Sequence, residues 1–305
     1  MSAIAVAPTR PLERPPWLPP EVWPFELRGV ELDGNLIHYV DEGAGPTLLF
    51  VTAGTWCIVW RDVIARLTSG FRCVALDFPY AGLSEASPGH AVGIAQHSRL
   101  LGAFVDALAL DRYVLVAHDL GGPIALAMAL RRPASTAGLV LTQTFGWPPE
   151  SAALKGMLRL MGSAPMRELA TLTRLIPLLT GTSFGVGRHL DRPSRVAFRA
   201  PFRDPAKRRA FHRLLGSVLH SSALLADVEA AAGPALGERS VLTIFGERND
   251  PLGFQRRWQQ LFPHAHRVLV PGGNHFPMSD DPDLFADSVS DWWRATAGQP
   301  STDTP

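Results

Sequence analysis

The chain has 305 residues, 46% of them hydrophobic, which is enough to bury one large core carrying an insertion. Its 29 Lys and Arg against 28 Asp and Glu leave a formal charge of +1, which argues against nucleic acid or an anionic membrane as partner and favours a small molecule. Cys57 and Cys73 are too few for a disulfide framework, and no apolar run reaches the roughly 18 residues of a membrane span, so the expected location is a reducing cytoplasm.

Residues 1–24, with Pro8, Pro11, Pro15, Pro16, Pro19, Pro20 and Pro24, read as a proline-rich arm lying extended on the body, without a signal-peptide core. Leu27 to Leu32 and Leu36 to Val40 then form a hairpin around Asp33-Gly34. Thr47 to Thr52 and Phe71 to Asp77 are buried strands separated by a helix from Trp60 to Leu67. A helix from about Gln96 to Leu108 leads into the strand Tyr113 to His118. A helix from Gly122 to Leu130 follows at once and stops before Pro133, and Thr136 to Thr142 is the next strand. This alternation predicts an α/β fold: a mostly parallel central sheet with helices on both faces.

Between residues 147 and 230 the strand pattern gives way to helical periodicity interrupted by Pro165, Pro177, Pro193, Pro201 and Pro205. That segment is read as a helical cap inserted into a core made of residues 25–146 and 231–305. It holds 13 Lys/Arg against six acids, with much of the excess between Arg195 and Arg213, a cluster expected to be a solvated helix face. Its apolar stretch from Met157 to Leu179 predicts a hydrophobic pocket. Strands resume at Ser240 to Phe245 and Arg267 to Val270, a last helix runs from about Pro282 to Trp293, and the tail from Gly298 to Pro305 is expected to fray.

The chemistry concentrates at three strand ends. Ala117-His118-Asp119-Leu120-Gly121-Gly122 joins a strand to a helix and has small residues two before and two after Asp119, as a strained nucleophile-bearing turn demands. An Asp there can also be a plain helix N-cap. Two later segments weigh against that reading: Phe245-Gly246-Glu247-Arg248-Asn249-Asp250-Pro251 and Pro271-Gly272-Gly273-Asn274-His275-Phe276 each follow a strand. They complete the chain order nucleophile, acid, histidine. Asp119 is therefore the expected nucleophile, His275 the general base and Asp250 the acid that orients it. A carboxylate nucleophile displaces a leaving group at carbon and forms an ester with the substrate, which water activated by His275 then hydrolyses. The oxyanion hole serves that second step. Its expected donors are the backbone N–H of Leu120 and one from Ala53-Gly54-Thr55, assigned to Gly54. His38, His97, His212 and His220 have no comparable context. No metal-ligand spacing or phosphate-cradling loop is visible, so no cofactor is expected.

From Phe25 to Trp293 the sequence resembles the haloalkane dehalogenase family of α/β-hydrolases. The resemblance is carried by Thr55-Trp56, Trp60-Arg61-Asp62, the run from Phe71 to Asp77, the Asp119 motif and the GERNDP and PGGNHFP segments. It implies Asp119, Asp250 and His275 as the triad, the insertion as the cap over the pocket, and a small hydrophobic substrate plus water as partners. The sequence departs from the family in its halide donors. Leu120 stands where a tryptophan usually follows the nucleophile, and Thr52-Ala53-Gly54 stands where an Asn-containing segment usually precedes the Thr-Trp pair. Trp56 and Trp147 are the substitute donors considered, each with packing as the plainer role. Epoxide hydrolysis is the alternative, although Tyr39, Tyr80 and Tyr113 all lie outside the cap that would have to supply the proton. β-Lactone decarboxylation is a further one, and a non-catalytic binding protein is disfavoured by the complete set of Asp119, Asp250 and His275.

Overall fold

The computed structural model describes residues 9–174, 180–181, 185–186 and 189–297. Pro8 of the arm, Pro177, Leu179 and the tail from Gly298 to Pro305 lie outside the described residues.

Nine strands form one sheet: β1 (Arg10–Pro11), β2 (Arg28–Leu32), β3 (Asn35–Glu42), β4 (Thr47–Ala53), β5 (Arg72–Leu76), β6 (Tyr113–Asp119), β7 (Thr136–Thr142), β8 (Ser240–Gly246) and β9 (His266–Val270). Their order is β1-β2-β3-β5-β4-β6-β7-β8-β9, antiparallel from β1 to β5 and parallel from β5 to β9. The β2–β3 hairpin turns on Asp33 (φ 51°) and Gly34 (φ 71°), the left-handed pair that a two-residue hairpin with right-handed strand twist requires. The central strands read as continuous apolar runs because helices cover both faces; Leu48, Leu49, Val51, Leu115 and Val116 are fully buried. The arm is tied to this body by Arg14, whose guanidinium donates to the carbonyls of Leu18, Trp23 and Phe25, and by the fully buried Leu18 and Trp23.

Between β7 and β8 the described chain is helical: Ala152–Gly162, Ala164–Thr173, Arg192–Arg199, Pro205–His220 and Ser222–Leu236. Ser151, Ser163, Asp191 and Asp204 cap the first four, each with its side chain accepting from a backbone N–H two or three residues on, and Pro sits at N1 or N2 of three of them. The cationic helix Pro205–His220 is not simply a solvated face. Arg208 is buried and donates to the carbonyls of Thr171, Phe202 and Arg203, while Lys207 donates to those of Gly82 and Ser84. A cation with several donors can satisfy carbonyls that loops and helix ends leave unpaired, and this holds the helix to its neighbours. Among the described residues no single helix is long and apolar enough to cross a membrane.

Candidate active site

The strand β6 ends at Asp119, whose φ of 51° is left-handed, and the helix Gly121–Ala129 begins two residues later. Such a conformation costs a non-glycine residue roughly 1–3 kcal/mol and persists only where surroundings enforce it. Here the enforcement is visible. A Cβ on Gly121 would lie 2.2 Å from the Val51 carbonyl oxygen, and one on Gly122 would lie 1.8 Å from Thr144 Oγ1. Thr144 Oγ1 in turn donates to the Asp119 carbonyl at 2.6 Å, and the Thr144 carbonyl accepts from Trp258 Nε1 at 2.9 Å.

The turn presents the Asp119 carboxylate to His275, with Oδ2 and Nε2 3.7 Å apart. Burial pushes the Asp119 carboxyl up, but the adjacent His275, followed by the nearby His118 and the Leu120 N–H, holds it below the ordinary carboxylate value. His118, fully buried behind them, donates from Nε2 to the His275 carbonyl at 2.8 Å, which leaves Nδ1 to accept from Thr52 Oγ1 at 3.3 Å. Burial, followed by the charge of His275, pushes the His118 imidazole down to about 4, so it is neutral at pH 7 and acts as a fixed donor beneath His275.

Asp250 lines the same cavity as Asp119 and His275. Its carboxylate, however, accepts from the backbone N–H groups of Phe254 (2.6 Å) and Gln255 (3.0 Å), at the start of the helix Phe254–Leu261. No hydrogen bond or ion pair joins Asp250 to His275. The free N–H groups at a helix start attract a carboxylate strongly, and here they hold both of its oxygens.

The cavity has a volume of about 520 Å³ and is walled largely by apolar side chains, among them Leu120, Phe145, Trp147, Leu158, Leu215 and Val218. Gly54 (φ 90°) does not line it; with Phe211, Lys207 and His97 it borders a separate space of about 30 Å³. The two candidate tryptophans part company. Trp56 is fully buried and donates its indole N–H to the Phe198 carbonyl at 3.1 Å, so as a leaving-group donor it is ruled out: its hydrogen is already engaged away from the cavity. Trp147 borders the cavity, packs at 4.7 Å on Trp258, and has the Arg257 guanidinium 4.7 Å from its ring centre. Its indole N–H has no protein partner among the described residues. Arg257 is itself held by Glu150 and Glu229.

Sequence reasoning passed over Gln143, Thr144, Asn249 and Arg257. A run of polar residues at the C-terminal end of a parallel strand, as in Thr142-Gln143-Thr144, was the available signal, since sites in open α/β sheets gather there. Away from this cavity, His38, Cys57 and Asp77 bring three metal-ligand-type atoms within 4.8 Å of one another. All three are buried, and the Asp77 oxygens are taken by His38 Nδ1 and by the N–H groups of Cys57 and Leu83, the pattern of a structural hydrogen-bond cluster.

Residues 36–288 match the family model described as the alpha/beta hydrolase family. Haloalkane dehalogenase 2 of Mycobacterium bovis is 36% identical over 282 residues, covering 88% of this chain and 96% of the relative. The chain belongs to the haloalkane dehalogenase family of α/β-hydrolases. The cis-3-alkyl-4-alkyloxetan-2-one decarboxylase of Shewanella oneidensis is 24% identical over 85% of this chain and 86% of that protein. In structure, a putative ancestral haloalkane dehalogenase superposes with a TM-score of 0.77 at 22% identity, covering 90% of this chain and all of the other, which shows the shared fold. This dehalogenase-like hydrolase thus shares the fold of its solved relatives, with helices interposed between β7 and β8.

Proposed function

We propose that the protein hydrolyses the carbon–halogen bond of a hydrophobic haloalkane through an ester on Asp119. The observation that carries this reading is an ionised carboxylate on a strained turn, 3.7 Å from a histidine, at the floor of an apolar cavity. In the first step an Asp119 oxygen attacks the halogen-bearing carbon, a C–O bond forms and the halide departs with the bonding electrons. In the second, water attacks the ester carbonyl carbon as His275 Nε2 takes its proton. The Leu120 N–H stabilises the oxyanion, and the alcohol leaves with the proton that His275 took from water as Asp119 is regenerated; Gly54, the expected second donor, borders the separate space instead. Chain order assigns Asp250 to His275 as its acid, while both carboxylate oxygens rest on the Phe254 and Gln255 N–H groups here, and the helices of residues 147–230 act as the cap.

The departing halide needs donors without competing acceptors. Trp147 Nε1 meets that need; Asn249, another lining residue, has a side-chain NH₂ without a protein partner among the described residues, though its amide also carries an acceptor oxygen. A cation over the indole face makes its N–H a stronger donor, which gives Arg257 a place in the same site. With a liquid water's share of volume near 30 Å³, the cavity accepts a substrate on the order of ten methylene-sized groups. The free, buried Cys57 and Cys73 suit the reducing cytoplasm as its place of work.

Halide release from a series of 1-bromo- and 1-chloroalkanes tests the reading, with His275→Gln expected to trap a substrate-derived mass on the Asp119 peptide. Folded protein that releases halide from no member of the series overturns it. The relationship to the oxetanone decarboxylase supports one second reading, in which the leaving group is a carboxylate within the substrate. Alkene and carbon dioxide from a synthetic β-lactone would select it.

A further inference from the structure

With both Asp250 oxygens held by the helix Phe254–Leu261, the placement of His275 depends on how its loop is anchored. Two contacts join that loop to the loop of the acid farther out, where Glu247 Oε2 accepts from the Gly272 N–H at 2.7 Å and the Arg248 N–H donates to the Gly273 carbonyl at 3.0 Å. Nearer the chemistry, one side chain joins them at the residues next to Asp250 and His275. Gln143, just past the end of β7, donates from Nε2 to the Asn249 carbonyl at 2.9 Å and to the Asn274 carbonyl at 3.0 Å. Its amide therefore bridges the residue before Asp250 and the residue before His275. Both partners are acceptors, so only the NH₂ group can face them, and Oε1 is left buried without a partner among the described residues.

Two features of Gln143 work against stability: that orphaned acceptor, and a left-handed backbone with φ of 43°. A residue serving only to fill space needs neither. Its side chain borders the reaction cavity, so the strain is stored beside the chemistry.

We propose that Gln143 is a positioning residue for His275, a cross-brace between the two late loops that sets the imidazole for attack of water on the ester. This rests on the hydrolytic reading above. Asp119 is fixed by other contacts, through β6, the Leu120 N–H and Thr144 Oγ1, so the brace bears on the second step and leaves the first alone.

The test is single-turnover kinetics on the full chain with a 1-bromoalkane, following halide release and the intact protein mass in parallel. Gln143→Leu, close in shape but without the two donors, is expected to form the ester at the wild-type rate. Its hydrolysis should slow on the order of 10- to 100-fold, the scale of a misplaced catalytic group, so that ester accumulates. Gln143→Met repeats the measurement should the leucine variant fold poorly. Unchanged ester hydrolysis in either folded variant overturns the proposal, as does an equal slowing of both steps, which marks a merely structural residue. His275→Gln separates the two levels: if it accumulates ester while the Gln143 variants do not, only the brace falls. If His275→Gln forms ester no more slowly hydrolysed than wild type, the base assignment falls and takes the brace with it.

Discussion

Replacing Trp147 by Phe removes one indole N–H from a side chain that lines the cavity, and little else. The phenyl ring keeps an aromatic face against Trp258 and an edge against Phe254, whose rings lie 4.7 and 5.4 Å from that of Trp147. If the N–H stabilises the departing halide, its loss removes one charge-assisted hydrogen bond, about 1.5–3 kcal/mol. That corresponds to a slowing of ester formation on the order of 10- to 150-fold, with ester hydrolysis unchanged. Trp56→Phe is the matched comparison, because its N–H is bonded to the Phe198 carbonyl instead. It should lower unfolding free energy by about 1–3 kcal/mol and leave ester formation alone. Rapid-quench mass spectrometry with a 1-bromoalkane reads the chemical step, and urea unfolding reads stability. Ester formation at the wild-type rate in Trp147→Phe, or an equal slowing in Trp56→Phe, refutes the assignment.

Gly121→Ala places a methyl group 2.2 Å from the Val51 carbonyl oxygen, a backbone atom that cannot move aside, and should destabilise by at least about 3 kcal/mol in urea unfolding. Gly156→Ala, in the helix Ala152–Gly162 with nothing within 4 Å, should instead stabilise by about 0.5–1 kcal/mol; equal effects would show that the turn is not tightly packed. His97, stacked on Phe78, is pushed down to about 3 by burial and then by the charge of His90. A histidine lowered by folding contributes its full stability above the unfolded value near 6.5 and loses it as pH falls toward 3, at about 1.4 kcal/mol per pH unit. Between pH 6.5 and 5 the wild type should therefore lose about 1.6 kcal/mol more than His97→Phe does, and parallel urea titrations of the two proteins would exclude the idea.

What the residues alone determined is local. A strand-to-helix turn flanked by small residues has few conformational solutions, so Ala117-His118-Asp119-Leu120-Gly121 announced its own geometry. Continuous apolar runs announced a sheet covered on both faces, and Asp33-Gly34 announced a hairpin. Long-range geometry decided the rest. Trp56 and Trp147 are the same residue type, yet one meets a carbonyl 142 positions away with its N–H and the other lines the cavity. Asp250 follows its strand as expected, but the helix start just beyond it takes both carboxylate oxygens. Gln143 bridges carbonyls 106 and 131 positions along the chain, which no local pattern encodes. Hydrogen-bond partners are assigned only when the parallel strands align their C-terminal ends, and so the turn bearing Asp119 was legible in sequence while the contacts that orient His275 were decided by the fold.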